Sequence, residues 1–416
     1  MLAVVSDIPS GPVFFFQRAG PVTPTPTPQV EGWLSGPPLA LPGGPVRTAV
    51  LIRDGRIVAL GEPPADEPEV MHLPDEGLLA PGLVETHIHG ALGRDVMEGT
   101  PEALDTVSRF LVRHGVTTWL PTTLACPAPD LARVLDAIAT RMRDPAQDAA
   151  RVAGAHLESN FLSPRHVGAQ PPEFLAPPAD PVLGEVLARH GEAIRIVTLA
   201  PELPGALELT SRLVGMGIVV SVGHTDATLE QVRAAVAHGA TRVTHLCNAQ
   251  RGLHHREPGV VGAGLAIDAL TCEVIADGIH VHPLVLDIVA RCKGDTGTAL
   301  VSDALPGTGL APGLHAFGDR QVLIRDGVAR LPDGTIAGSI LTLDRALRHA
   351  RDWMRLDAVA AIRMASETPA RSAGLTDIGS IEPGKRADLV WFTDDLHVRA
   401  TWMDGQLVHD AAEERR

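Results

Sequence analysis

GLVETHIHG, residues 82–90, combines a run of strand-forming apolar residues with two histidines near its end. Segments with helical spacing of apolar residues, for example 103–114, 131–142, 229–238 and 284–291, alternate with strand-like runs along the chain. Eight strand–helix alternations favour an α/β fold of the (β/α)8 barrel type over an open sheet, and we predict this barrel over residues 81–376. The seven further strand candidates are TTWLPTT (117–123), VAGAHLE (152–158), RIVTLAP (195–201), IVVSVGH (218–224), RVTHLCN (242–248), TCEVIAD (271–277) and TALVSDA (298–304).

The two flanks of this region predict a second, smaller domain. TAVLIRDGRIVALGE, residues 48–62, indicates two strands around the turn Asp54-Gly55, and the runs LVWF, HVRATWM and QLVH indicate three more near the other end. We therefore expect residues 31–80 and 377–412 to form one small β-sandwich domain. Residues 1–30, which include PVTPTPTP, are predicted to be a poorly ordered extension. A further hairpin is predicted after the eighth strand, within residues 321–338.

Composition and charge exclude several classes of protein. With 416 residues, 45% of them hydrophobic and 20% charged, the chain can bury a large globular core. A net charge of -15 gives no general attraction to nucleic acid or to an anionic membrane surface. No apolar run approaches the ~20 residues of a membrane-spanning helix. The scattered cysteines predict reduced thiols and a cytoplasmic protein; they are Cys126, Cys247, Cys272 and Cys292.

Ligand-type side chains stand at the ends of most predicted strands. His87 and His89 are two residues apart on the first strand, so both rings can point into the barrel mouth. In a (β/α)8 barrel the carboxyl ends of all strands meet at one face, and buried groups of this kind are costly without a partner. The others are Glu158, His224, His245, His280 and Asp303. The pattern predicts a metal site; the alternative is a set of separately satisfied core residues.

Imidazole and carboxylate ligands without cysteine suit Zn²⁺, with Fe²⁺, Mn²⁺ or Co²⁺ as alternatives, at a hydrolytic site. Such an ion polarises an amide carbonyl and lowers the pKa of water. A carboxylate is then needed to accept the water's proton and pass it to the leaving amine. Asp303, on the last strand, is our candidate for this acid and base. The alternative is that Asp303 is a metal ligand or only orients a histidine.

Six segments stand out along the chain: PGLVETHIHG (81–90), HLE (156–158), SVGHTDATLEQ (221–231), THLCNAQRGLHHREPGVVGAG (244–264), ADGIHV (276–281) and LVSDA (300–304). In this order they resemble the N-acetylglucosamine-6-phosphate deacetylases of the amidohydrolase superfamily. The resemblance runs from about residue 46 to 409 and includes the closing GSIEPGKRADLV. It implies a metal-dependent hydrolysis of N-acetylglucosamine 6-phosphate to glucosamine 6-phosphate and acetate, with Asp303 as acid and base.

The resemblance also implies the metal ligands. Glu158, His224 and His245 match the residues that bind the main ion of the family. His87 and His89 match the pair that holds a second ion in some members, with Glu158 as the bridge. One or two divalent ions per subunit are therefore expected.

Five residues are implied to contact the phosphorylated substrate. Asn248 and Ala249 match a pair that contacts the sugar phosphate, and His280 matches a substrate contact after the seventh strand. His255 and Arg256 match a segment that reaches the phosphate from the neighbouring subunit, which implies a homodimer. An arginine suits this role because its guanidinium makes bidentate hydrogen bonds to phosphate.

Several positions depart from the family pattern. Ser159-Asn160 replaces the usual Gly-Pro after HLE, which predicts a loop of altered mobility next to the metal. Gln170 stands where several members carry histidine, so it can hydrogen-bond a sugar hydroxyl but cannot carry charge. LPGTG, residues 305–309, stands where the family usually has a run of small residues after the aspartate. These changes leave the exact acylated substrate open.

Three alternative functions remain at this stage. The first is deacetylation of another acylated amine, such as N-acetylgalactosamine 6-phosphate. The second is a catalytically silent protein that binds sugar phosphates. The third is a cyclic amide hydrolase, which is disfavoured because such enzymes use a carboxylated lysine and Lys293 and Lys385 lie away from the strand ends.

Overall fold

The computed structural model describes residues 29–67 and 70–413, and the predicted eight-stranded parallel barrel is present in it. A short strand, Arg151–Val152, also pairs with the second barrel strand. The barrel strands are almost wholly buried, because helices cover their outer side. The first to eighth barrel strands are Leu83–Ile88, Val116–Thr123, Ala155–Glu158, Ile194–Leu199, Val219–Val222, Arg242–Val243, Thr271–Ile275 and Thr298–Val301.

Two backbone hydrogen bonds join the first and eighth strands at their carboxyl ends. The amide of Asp303 donates to the carbonyl oxygen of His87 at 2.9 Å, and the amide of His89 donates to the carbonyl oxygen of Ala304 at 2.8 Å. The barrel is therefore closed at the rim where the candidate site residues were predicted.

Helices follow the strands and cover the barrel. The first begins at Pro101, where the fixed φ of proline suits the first helical turn and the hydroxyl of Thr100 accepts a hydrogen bond from the amide of Ala103 at 3.3 Å. The four helices predicted from apolar spacing are all present. No helix in the described ranges is long and apolar enough to cross a membrane. The helices are Pro101–Val112, Ala128–Arg143, Pro181–Arg189, Ala206–Gly215, Leu229–Ala237, Gly259–Ala266, Pro283–Gly297 (interrupted at Gly294), Leu343–Trp353, Ala358–Ala365 and Glu367–Ser372.

Strands from both ends of the chain form the predicted sheet-rich domain. Leu389–Phe392 pairs antiparallel with Leu78–Pro81, which joins the two flanks in one sheet. This sheet has six strands, and its other four are Leu39–Leu41, Gly44–Val46, Val398–Met403 and Gln406–Asp410. A second sheet has four strands, which are Gly32–Ser35, Ala49–Arg53, Arg56–Gly61 and Val70–His72. The predicted extension lies outside the described residues except for Gln29 and Val30. Its boundary and those of the two domains stay predictions.

A three-stranded antiparallel insertion follows the eighth barrel strand. Its strands are Gly313–Phe317, Arg320–Arg325 and Val328–Arg330. The first was not predicted; it is short, and most of its residues are exposed or half-buried. Phe317 is buried and its ring centroid lies 6.1 Å from that of His89, so the insertion contributes a wall to the barrel mouth.

Arg151 links the barrel to the small domain. Its guanidinium donates to the carboxylate of Asp388 at 2.8 Å and to that of Asp404 at 2.9 Å, and the side chain of Asp388 is only 3% exposed. Arg151→Met would leave a buried carboxylate without its cation. We expect this change to lower the free energy of unfolding by about 3 kcal/mol, measured by urea denaturation at neutral pH.

Arg109→Met is the matched control for this measurement. Arg109 makes a hydrogen-bonded ion pair of 2.9 Å with Asp148, but the two side chains are 49% and 63% exposed. Its loss should cost less than about 1 kcal/mol, because water screens exposed pairs. Equal losses of stability in the two variants would show that the Arg151 pair does not join the domains as described.

Candidate active site

Three candidate metal ligands meet at the ends of the third, fifth and sixth barrel strands. Glu158 is the last residue of the third strand, and His224 and His245 follow the fifth and sixth. Nε2 of each histidine lies 2.9 Å from the same oxygen, Oε1 of Glu158, and the two nitrogens are 3.1 Å apart. All three side chains are buried. The set has the residue types and spacing of a metal-binding cluster.

A second cluster contains His87, His89 and Asp303. Oδ1 of Asp303 lies 3.1 Å from Nε2 of His89 and 3.5 Å from Nε2 of His87. Glu158 borders this cluster too, since its Oε1 is 3.6 Å from Nε2 of His87 and its Oε2 is 3.5 Å from Nε2 of His89. One carboxylate therefore faces both clusters.

The backbone bends sharply at three of these positions. His224, His245 and Asp303 have positive φ angles of 46°, 28° and 50°. Such conformations are unfavourable for residues with a Cβ, and they persist where the surrounding structure requires a particular side-chain direction. At each of these positions the backbone turns away from its strand direction at the barrel rim, where the three side chains lie close together.

Hydrogen-bond partners indicate where the protons lie on three of the histidines. Nδ1 of His224 and Nδ1 of His89 each face a main-chain carbonyl oxygen, at 2.9 Å and 3.2 Å, so Nδ1 is the donor. Nδ1 of His87 faces the carboxylate of Glu273 at 3.0 Å, and its buried Nε2 has no hydrogen-bond partner. Once these rings are neutral, their Nε2 lone pairs face carboxylate oxygens with no proton between them. This donor set fits a divalent cation.

The electrostatics of the clusters favour a cation as well. Burial by itself lowers the pKa of His87, but the carboxylates of Asp303, Glu158 and Glu273 reverse this effect and raise its pKa to about 10. Burial raises the pKa of Glu158 and of Asp303, yet the facing imidazoles hold both below their ordinary values. The carboxylates are therefore ionised, and a bound metal ion would displace the imidazole protons.

The clusters lie at a cavity of about 420 Å³, a size typical of small-molecule sites. Four of the six residues predicted to contact substrate line it, namely Asn248, Ala249, His280 and Gln170. Nδ1 of His280 lies 2.7 Å from Oδ2 of Asp277, which orients the ring. The structure thus brings these four residues to the same cavity as the candidate metal ligands.

His255 and Arg256 do not line this cavity. Both are exposed, and Nη1 of Arg256 lies 2.7 Å from Nε2 of His255. Within one chain they are outside the site, so a contact with substrate would require a second subunit.

Gln170 is already engaged with a candidate metal ligand. Its amide nitrogen donates to Oε2 of Glu158, and its Oε1 accepts from the amide of Ala125 at 2.9 Å. The side chain is buried at the edge of the cavity. Contact with a sugar hydroxyl would therefore compete with the bond to Glu158.

The Ser159-Asn160 replacement is accommodated by side-chain hydrogen bonds. The backbone of Ser159 does not adopt a positive φ, so its Cβ requires no unusual conformation. Its hydroxyl donates to the carbonyl oxygen of Thr198 at 2.6 Å. The amide of Asn160 donates at 2.7 Å to the carbonyl oxygens of both Cys126 and Phe174. These bonds tie the segment to its neighbours, and neither side chain lines the cavity.

Sequence reasoning missed the contribution of the insertion to the cavity. Phe317, Arg330, Thr335 and Ile336 all line it. Among the described residues of the lining, Arg330 carries the only guanidinium or ammonium group. The hairpin itself was predictable from its turns, but nothing in the sequence indicates that it folds over the barrel mouth.

Comparison with known proteins agrees with this geometry. A sequence model of the amidohydrolase family matches residues 78–408. The N-acetylglucosamine-6-phosphate deacetylase of Vibrio furnissii is 40% identical over 335 residues, which cover 80% of this chain and 84% of that protein. The N-acetylgalactosamine-6-phosphate deacetylase of Escherichia coli O157:H7 is 37% identical over 378 residues, which cover 91% and 96% of the two chains.

Solved structures of deacetylases have the same fold as this chain. A mutant N-acetyl-D-glucosamine-6-phosphate deacetylase from Mycobacterium smegmatis, in complex with N-acetyl-D-glucosamine-6-phosphate, is similar with a TM-score of 0.84 at 32% identity, covering 91% of this chain and 99% of that one. The Thermotoga maritima deacetylase gives a TM-score of 0.83 at 32% identity, with 91% and 100% coverage. The family model, which matches most of the chain, and these relatives show that the chain belongs to the amidohydrolase family, and the strand order agrees with this assignment.

Proposed function

We propose that this chain is a metal-dependent deacetylase that hydrolyses N-acetylglucosamine 6-phosphate to glucosamine 6-phosphate and acetate. The observation that carries the proposal is that Glu158 faces two clusters of metal-ligand type at the floor of a single cavity. The relatives that carry this activity in their names cover most of the chain, which supports the choice of reaction. The four free cysteines fit a cytoplasmic location.

Five residues are proposed as the metal ligands. Glu158, His224 and His245 would hold the main ion, and His87 and His89 would hold a second, with Glu158 between them. Zn²⁺ is our preferred ion, because the donors are nitrogen and oxygen atoms at a hydrolytic site. When bound, the metal supplies Lewis acidity that polarises the acetamide carbonyl and lowers the pKa of a water molecule.

Asp303 is proposed to move the proton. It lines the cavity, and imidazoles on one side keep its pKa below the ordinary value, so at neutral pH it is a carboxylate that can accept a proton. It would take this proton from the attacking water and deliver it to the amine nitrogen. The C–N bond then breaks, and acetate and the free amine leave. Its position 3.1 Å from Nε2 of His89 is also compatible with a ligand role.

The same cavity is proposed to bind the sugar phosphate. Asn248, Ala249 and His280 offer hydrogen-bonding groups there. A dianionic phosphate in a protein of net charge -15 also needs a nearby cation. We assign this contact to Arg256 of a second subunit in a homodimer, with His255 beside it.

The direct test is acetate release by purified protein from three compounds. N-acetylglucosamine 6-phosphate should be hydrolysed fastest, its galactosamine isomer more slowly, and unphosphorylated N-acetylglucosamine least, because it lacks the charged anchor. Preference for the galactosamine isomer would favour the second candidate function, which the E. coli O157:H7 relative supports. Tight binding of all three without acetate release would indicate a silent sugar-phosphate binder.

The contribution of Arg256 across subunits can be tested by complementation. Asp303→Asn should lower kcat by about 10² to 10⁴-fold through loss of the proton acceptor. Arg256→Ala should mainly raise KM for the phosphorylated substrate, through loss of a charge-assisted contact. In a mixed dimer of the two variants, one active site regains both Asp303 and Arg256. Mixed dimers of the co-expressed variants, isolated through two different affinity tags, should therefore recover about half of the wild-type activity at low substrate.

No recovery in the mixed dimers would contradict a contact from the partner subunit. The phosphate would then have to be held by a cation of the same chain, and Arg330 is the guanidinium that lines the cavity. Arg330→Ala, assayed in parallel, separates these two assignments.

A further inference from the structure

A buried carboxylate lies directly behind the second metal cluster. Glu273, on the seventh barrel strand, is fully buried and does not line the cavity. Its Oε2 lies 3.0 Å from Nδ1 of His87 and also accepts a hydrogen bond from the backbone amide of His245 at 3.2 Å. One carboxylate oxygen therefore contacts a candidate ligand of each metal ion.

Arg242 holds this carboxylate from the other side. Nη2 of Arg242 donates to Oε1 of Glu273 at 2.6 Å and to the hydroxyl of Thr86 at 3.0 Å, and both side chains of the ion pair have no exposed surface. An unpaired charge in this interior would be very costly, so each member requires the other. The ion pair bridges the adjacent sixth and seventh strands, so both side chains are anchored on the barrel sheet.

Glu273, His87 and His156 themselves have the spacing of a metal cluster, but their bonds do not suit one. His156 is committed at both ring nitrogens, with Nδ1 at 2.9 Å from the carbonyl oxygen of Thr86 and Nε2 at 2.7 Å from the hydroxyl of Thr198. Glu273 already has a cation in Arg242. The role of this group is therefore to hold His87 and not to bind an ion.

We propose that Glu273, held by Arg242, is a positioning residue that fixes the proton of His87 on Nδ1 and thereby sets the affinity of the second metal ion. Histidine ligands commonly donate their second ring N–H to a carboxylate, which orients the ring and leaves the other nitrogen free to bind metal. Here that other nitrogen is the unpartnered Nε2 of His87, which faces Asp303 and Glu158. The inference rests on the proposed function only in requiring that divalent metal be bound.

Glu273→Gln tests this role because a carboxamide cannot replace the carboxylate. Arg242 can only donate, so it will attract the carbonyl oxygen of the glutamine and turn the amide NH₂ toward His87. An NH₂ group can only donate to Nδ1, which moves the ring proton to Nε2, the atom that must bind metal. The proton is then in the wrong place although the shape of the side chain is unchanged. The backbone amide of His245 also loses its acceptor, but that bond, at 3.2 Å, does not set the proton of a ring nitrogen.

The experiment measures metal content and affinity in the absence of substrate. Wild-type and variant proteins are stripped, titrated with Zn²⁺ in competition with a chromophoric chelator, and counted by elemental analysis. Glu273→Gln should weaken the second ion by about 10 to 100-fold and leave the first ion less affected. Asp344→Asn is the matched control, since Asp344 is a buried carboxylate paired with Arg348 at 2.8 Å and His114 at 3.0 Å, and it does not line the cavity. It should keep both affinities.

A double variant, Arg242→Met with Glu273→Gln, keeps the test decisive if the single variant folds poorly. Without Arg242 the glutamine carbonyl is free to accept from Nδ1 of His87, so the second ion should bind more tightly than in Arg242→Met with Glu273→Met, where Nδ1 has no acceptor. Wild-type affinities in Glu273→Gln, or a wild-type protein that binds only one ion, would overturn the proposal. A wild-type protein that binds two ions and hydrolyses none of the sugar phosphates would refute the proposed function and leave this inference standing.

Discussion

The arrangement of the site depends on the closure of the barrel between its first and eighth strands. The same two hydrogen bonds that close the rim, from Asp303 to His87 and from His89 to Ala304, also bring the eighth-strand carboxylate beside the two first-strand histidines. In a parallel barrel all strand ends face one side, so closure is enough to bring residues far apart in sequence into one cluster. An open sheet of the same strands would separate Asp303 from His87 and His89.

Burial of charge is the second constraint. Carboxylates and imidazoles are concentrated at the barrel mouth, where a low dielectric makes uncompensated charge expensive. Each buried carboxylate has a partner, and the partners form two layers. In the upper layer Glu158 and Asp303 face imidazoles, and in the lower layer Glu273 faces Arg242. The lower pair is complete within the protein. In the upper layer the carboxylates face imidazoles, whose protons a metal ion can displace, whereas in the lower layer Glu273 already has a permanent cation in Arg242.

Much of the fold could be predicted because the barrel has a simple pattern. Eight apolar runs alternate with helical segments, and His87, Glu158, His224, His245 and Asp303 all stand at or near strand ends. Those features are local in sequence, so they can be read without knowing which strands are neighbours. The strand pattern alone therefore indicates these side chains as candidates for a metal site, and the resemblance to the family implies which of them would hold an ion.

The remaining features are set by contacts between distant segments. Glu273 and Arg242 look like ordinary charged residues in apolar strands, and only the barrel brings them together behind His87. The bond from Gln170 to Glu158 and the position of Arg330 in the cavity depend on loops whose paths the sequence does not reveal. Side-chain identity therefore predicts which residues are candidates for the site, whereas the residues that support them and the outer wall of the cavity are visible only in the structure.

The central claim is that deacetylation depends on metal held by the clusters around Glu158, and metal removal tests it most directly. Protein stripped with a chelator should lose nearly all acetate release from N-acetylglucosamine 6-phosphate. Activity should return in proportion to added Zn²⁺ and level off at about one to two ions per chain. Full turnover by protein whose metal content is far below one ion per chain would contradict the account.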